Sequence, residues 1–90
     1  MSLLTKKEVY GQLNNWEFIN NSIIKTFEFP DFADAIGFIV RLGFEAEKAD
    51  HHPDIFLHSW NKVKITLSTH SEGGVTGKDI ELAKNIEKLI

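Results

Sequence analysis

The 90-residue sequence contains no cysteine. Disulfide frameworks and thiolate metal sites are therefore excluded. A cysteine-free chain fits a reducing compartment, so a cytoplasmic protein is expected. No apolar run approaches the roughly 18 residues of a membrane-spanning helix, and MSLLTKKE opens with too short an apolar run for a signal peptide. An excess of positive charge is also missing: 10 Lys and Arg stand against 13 Asp and Glu, net −3, and outside Lys6-Lys7 the basic residues are scattered. Binding to phosphate backbones calls for a basic patch or stripe. Neither nucleic acid nor a membrane is expected as a direct partner. Repeats, linkers and low-complexity tracts are absent. So are the usual nucleophile signatures: there is no G-x-S-x-G, and Gly73-Gly74 is too short for a phosphate loop.

What is present is the composition of one globular domain over residues 1–90, with 42% hydrophobic residues and seven Phe. A chain of this length buries only roughly 60% of the surface its unfolded form exposes. Small domains often gain stability by association, so a homo-oligomer is plausible from size alone.

The element signals alternate along the chain. Thr5-Lys6-Lys7-Glu8 is a capping box that opens a helix to about Leu13, where Asn14-Asn15 breaks it. Trp16-Glu17-Phe18 reads as a short strand and Asn20-Asn21 as a turn, with Ser22 to Phe29 as the second arm of a hairpin. Pro30-Asp31 starts the strongest helix, with Asp31 as cap and Asp34 in the first turn. Phe32, Ala35, Ile36, Ile39, Gly43 and Ala46 recur at helical spacing and predict its core stripe. Phe38 and Leu42 widen that surface, either as a second buried side within the domain or as a face against another subunit. Phe56 to Trp60 reads as a strand, and Asn61-Lys62 as its turn. Val63, Ile65, Leu67 and Thr69 then alternate with Lys64, Thr66, Ser68 and His70 in a half-buried strand. Thr76 to Asp79 caps a last helix that buries Ile80, Ala83, Ile86 and Ile90. The order α-β-β-α-β-β-α predicts an α+β fold: a four-stranded antiparallel sheet with helices packed on one face.

Histidines carry the chemistry. In EKADHHPD, Pro53 pushes His52 into an extended conformation, and neighbours in an extended chain point to opposite sides. His51 and His52 are thus ill placed to share one ion. Zinc takes three or four convergent ligands, which here would have to be one of that pair, His70 and Asp50 or Asp54; no metal is expected. His70 falls near the end of the fourth strand, off the core face. The hairpin Phe56–His70 can bring it towards His51 and His52. Imidazole titrates at about pH 6.5, so one ring can give a proton where another accepts one. Glu47, one helical turn before the pair, either orients a histidine or merely solvates a helix end. Asp79 is equally explained as a helix-start acid.

Glu47-x-x-x-His51-His52-Pro53, Trp60-Asn61, Val63, Thr69-His70 and Gly74-Val75-Thr76-x-x-Asp79 together resemble the pterin-4a-carbinolamine dehydratase family. The resemblance is strongest over residues 44–83, and the element order extends it to nearly the whole chain. It implies dehydration of 4a-hydroxy-tetrahydropterin to the quinonoid dihydropterin, without metal or added cofactor, in the recycling of the tetrahydrobiopterin used by aromatic amino acid hydroxylases. It also implies an α+β fold and a homodimer or homotetramer. By this resemblance His51, His52 and His70 are the catalytic candidates, with His51 and His70 as acid and base in either order. Glu47 would hold His51. His52, Asp79 and Trp60 would contact the pterin. Some animal members also assist a homeodomain transcription factor, so a non-catalytic interaction module on the same fold is the alternative. The segment Asp54–Ser59 is one residue longer than in many members, which implies a shift of side-chain parity or a bulge.

Overall fold

The computed structural model describes residues 2–90. Helix α1 (Lys6–Tyr10) opens on the expected capping box: Thr5 Oγ1 accepts from the Glu8 N–H at 3.2 Å, and Glu8 Oε1 accepts from the Thr5 N–H at 2.9 Å. It stops at Gly11, earlier than the Asn14-Asn15 signal suggests. Leu13 and Trp16 are nevertheless buried, because the chain after Gly11 turns back over the core.

Strands β1 (Glu17–Ile19) and β2 (Ser22–Glu28) form a hairpin. Its two-residue loop, Asn20-Asn21, has both residues at positive φ (51° and 60°). That is the turn whose twist matches a hairpin, and asparagine tolerates it. Strands β3 (Asp54–His58) and β4 (Lys62–Leu67) form the second hairpin. The sheet order is β1-β2-β4-β3 and every pairing is antiparallel. The register of β3 on β4 runs unbroken from Asp54↔Thr66 to His58↔Lys62. No bulge interrupts this pair of strands. Strand β3 starts at Asp54, two residues before the expected Phe56, and the turn covers Ser59, Trp60 and Asn61, the first two at positive φ. Asn61 lies in the turn, as expected, and also clamps it: its Nδ2 donates to the Phe29 carbonyl at 2.9 Å, and its own carbonyl accepts from the Phe29 N–H at 3.0 Å, whereas Lys62 already belongs to β4.

Helix α2 (Phe32–Ala49) begins at Asp31, whose side chain accepts from the Asp34 N–H at 2.8 Å. Helix α3 (Gly77–Glu87) begins on a second capping box, Thr76 with Asp79. Both contribute to the same core as the sheet. Ile23 and Phe27 of β2 and Val63, Ile65 and Leu67 of β4 project to the helix side; Lys64 faces away and is exposed. The period-two pattern of β4 is thus realised up to Leu67. His70 is not in the strand. It opens a 3-10 turn, His70–Glu72, because Thr69 leaves the ladder to bridge Gly74.

The core face of α2 is rotated from the expected stripe. Ala35, Phe38, Leu42 and Ala46 are buried, and Ile39 is half-buried. Phe32 and Ile36 face outward. Phe38 decides the rotation, since its ring packs between Phe27 (5.1 Å) and Phe29 (4.8 Å). Burying such a side chain contributes about 1.5–3 kcal/mol. In α3, Ile80, Leu82, Ala83 and Ile86 are buried, whereas Ile90 lies beyond the helix end and is exposed. No helix among the described residues is long and apolar enough to cross a membrane.

Candidate active site

Helix α2 ends at Asp50, which adopts the left-handed conformation (φ 48°). Its N–H and that of His51 return to the carbonyls of Glu47 and Ala46, at 3.2 and 3.1 Å. Such a helix stop satisfies the last carbonyls and turns the chain sharply. His51 is thereby swung inward, and the extended residue before Pro53 sends His52 outward. The side chain of His51 is 10% exposed and that of His52 60%.

Each imidazole takes a different carboxylate. His51 Nε2 lies 2.5 Å from Asp79 Oδ1, and Asp79 is completely buried. His52 Nε2 lies 2.6 Å from Glu47 Oε2, a group 75% exposed. Glu47 therefore braces His52, not His51 as expected. One helical turn carries the Glu47 side chain along the outside of α2, whereas His51 has turned inside. The brace of His51 is Asp79, delivered by the first turn of α3. A neutral His51 donating to Asp79 carries its proton on Nε2, which leaves Nδ1 as an acceptor.

Asp79 does two jobs at once. Its Oδ2 accepts from the Thr76 N–H at 2.9 Å, completing the cap of α3, and from Thr69 Oγ1 at 2.8 Å. Its Oδ1 meets His51. Both oxygens are engaged and the group is wholly buried, so this carboxylate faces the surface only through the imidazole. The expected direct contact between Asp79 and substrate is not what the geometry provides.

Beside His51 a cleft of about 250 Å³ is bordered by Asp50, His51, His52, Thr69, His70 and Lys78, among others. All three candidate histidines thus meet at one opening, and the exposed His70 reaches it from the 3-10 turn rather than from a strand. A larger cleft, about 460 Å³, lies between α2 and α3 and shares only His51 and Lys78 with the first. Acid–base chemistry needs several titrating groups within reach of one molecule, so the smaller cleft is the candidate site. Trp60 is not brought there. It stands exposed at the β3–β4 turn, the end of the hairpin away from Asp54 and His70. The fourth histidine, His58, is also remote, stacked on Phe56 at 5.0 Å and 3.0 Å from Ser59 Oγ. Among the described residues, no three His, Asp or Glu side chains are grouped to hold a metal ion.

The sequence marks Thr76 as a helix cap, but it gives neither Thr69 nor Thr76 a role in holding the site. The available signal was parity: Thr69 falls on the core face of its strand, and a buried hydroxyl must find a partner.

The chain is similar to several known proteins. The family model described as "Pterin 4 alpha carbinolamine dehydratase" matches residues 2–89. A Roseiflexus castenholzii protein named "Putative pterin-4-alpha-carbinolamine dehydratase" is 49% identical over 84 residues, covering 93% of this chain and 89% of its own. One of the same name from Sulfolobus acidocaldarius is 45% identical over 83 residues, covering 92% and 90%. A crystal structure titled "transcriptional coactivator/pterin dehydratase", from Brucella melitensis, superposes with TM-score 0.89 at 38% identity over 98% of both chains. A pterin dehydratase-like RuBisCO assembly factor of the alpha-carboxysome shares the fold alone, with TM-score 0.67 at 21% identity over 82% of this chain and 84% of its own. The chain belongs to the pterin 4 alpha carbinolamine dehydratase family.

Proposed function

We propose that this protein dehydrates 4a-hydroxy-tetrahydropterin to the quinonoid dihydropterin by imidazole acid–base catalysis, in support of tetrahydrobiopterin recycling. The observation that carries the reading is the meeting of His51, His52 and His70 at one cleft, with His51 held by a buried carboxylate. The reaction breaks the C4a–O bond. One group protonates the departing hydroxyl, which leaves as water, and another removes a proton from a ring nitrogen. Each positioned group supplies about 10²–10⁴-fold. His51 and His70 take these two roles. His52, steadied by Glu47, lies at the rim and contacts the pterin.

The test is direct. Freshly made 4a-hydroxy-tetrahydropterin is supplied and its loss followed by absorbance, with wild type, His51→Ala and His70→Ala. Wild type accelerates the loss over the spontaneous rate and both variants lose most of that acceleration. A wild type that adds nothing defeats the dehydratase reading; variants as fast as wild type defeat the assignment of the histidines.

A second reading, assembly as the primary task, draws on one observation. Phe32, Ile36, Val40 and Phe44 lie four residues apart on α2 and all are exposed. A continuous apolar stripe on a helix suits a partner. In our reading its occupant is the same stripe of a second copy, giving a homo-oligomer, which is compatible with catalysis.

A further inference from the structure

Thr69 is tied to both candidate acid–base histidines, by different atoms. Its backbone holds the turn that presents His70. The Thr69 carbonyl accepts from the N–H groups of Glu72 and Gly73, each at 3.0 Å, and the Thr69 N–H donates to the Gly74 carbonyl at 2.8 Å. Its hydroxyl holds the carboxylate that holds His51, 2.8 Å from Asp79 Oδ2 and 2.8 Å from Thr76 Oγ1.

The direction of this chain follows from counting protons. A hydroxyl has one proton to give and lone pairs to accept with. Thr69 gives its proton to Asp79, so the bond between the two hydroxyls must run from Thr76 to Thr69. Thr76 Oγ1 in turn accepts from the Lys78 N–H at 3.3 Å. The chain of donors then runs from the Lys78 N–H through the Thr76 O–H and the Thr69 O–H to the accepting carboxylate of Asp79, with the His51 N–H arriving from the other side. Thr69, Thr76 and Asp79 are all buried. Chained hydrogen bonds of this kind polarise one another.

We propose that Thr69 is a positioning residue for His51: through Asp79 its hydroxyl fixes the orientation and the Nε2–H tautomer of the imidazole, while its backbone independently sets the turn carrying His70. The link to catalysis rests on the dehydratase reading; the link to the imidazole does not.

The test compares Thr69→Val, which removes the hydroxyl and keeps the branch at Cβ, with Thr69→Ser, which keeps the hydroxyl. Ring-nitrogen NMR of labelled histidine reads the tautomers without substrate. In T69V the His51 signals move away from the Nε2–H form while those of His70 stay in place, and T69S restores the wild-type pattern. In the dehydration assay T69V loses about tenfold in kcat with KM changed less than about twofold, a fraction of the 10²–10⁴-fold that a positioned acid or base supplies; T69S recovers most of it.

Unmoved His51 signals in a folded T69V overturn the proposal, as does a T69S protein that behaves like T69V. If T69V does not fold, the wild type decides. A Thr69 hydroxyl proton exchanging slowly enough to be observed supports the chain, and one exchanging as fast as a free threonine overturns it. A wild type without dehydratase activity removes only the functional reading, because the imidazole signals still report on Thr69.

Discussion

His51 and Asp79, 28 residues apart, meet at 2.5 Å with the carboxylate wholly buried. The acid that starts α3 is therefore the acid that orients the histidine ending the α2 turn. Two of its acceptor bonds serve the helix and the loop, and the third serves His51. Replacing it touches stability and chemistry together.

Asp79→Asn separates those two effects by magnitude. The amide keeps one acceptor oxygen but presents N–H groups either to the Thr76 N–H or to His51. In the first orientation a donor is left facing a donor inside the protein, at a cost of about 1–3 kcal/mol. If His51 accepts from the amide, its proton moves to Nδ1 and the acceptor side of the ring is lost. The expected outcome is a fall in kcat of about 10² or more alongside the drop in stability, read by urea unfolding and by the dehydration assay. An Asp79→Asn enzyme of wild-type kcat would show that His51 needs no brace.

Glu47→Gln makes the contrast. Its pair with His52 is 2.6 Å long but both side chains are mostly in water. Exposed pairs contribute about 0.2–1 kcal/mol and are screened by salt. The expected change in stability is below about 0.5 kcal/mol, and the loss of rate is well under that of Asp79→Asn, shrinking further in high salt. Equal losses for the two variants would mean that exposure is a poor guide to the importance of these two carboxylates.

Glu8 sets a pH dependence at the other end of the chain. The hydrogen bond from the Thr5 N–H, and then that of the Thr5 hydroxyl, hold its carboxyl below the ordinary 4.5. A depressed acid contributes stability that is complete above the unfolded value and is lost as pH falls through the native one. Wild type therefore loses ground against Glu8→Gln as pH drops below about 4.5, and the two keep a constant difference above it. Unfolding midpoints from pH 2 to 7 measure this. Parallel curves throughout the acid range would count against the capping box as a charge-dependent device.

Much of the fold was legible because its local signals agreed with one another. Capping boxes at Thr5-Glu8 and Thr76-Asp79, the Asn20-Asn21 turn and the alternation of Val63, Ile65 and Leu67 all appear where the residues place them. The misses have physical causes. Helix α2 is apolar around more than half its surface, so periodicity alone did not say which face is inside; the contact of Phe38 with Phe27 and Phe29 did. Asn61 sits in the turn its signal marks, but Lys62 already pairs in β4, and the reach of the Asn61 amide to a carbonyl 32 residues away is set by tertiary packing. In the site, the divergence of His51 and His52 followed from Pro53 and backbone geometry. Their partners did not, because Asp79 arrives from a helix whose position depends on tertiary packing, while Glu47 was near in sequence and on the wrong side of the turn.

The outward stripe of α2 leads to the last expectation. Phe32, Ile36, Val40 and Phe44 are all exposed and recur every four residues, so they drift only slowly around a helix with 3.6 residues per turn. Two such stripes can pack antiparallel, each filling the other's grooves. Val40 is central, and a charge there must be desolvated without a counter-ion in the paired state, while in a monomer it stays in water. Val40→Glu is therefore expected to shift the sedimentation coefficient from that of an oligomer to that of a 10 kDa chain, with the helical circular dichroism signal retained. Phe44→Glu, nearer the end of the stripe, weakens assembly less. A wild type that sediments as a monomer at tens of micromolar would leave the stripe without the partner assigned to it. An oligomer indifferent to both substitutions would place its interface elsewhere on the molecule.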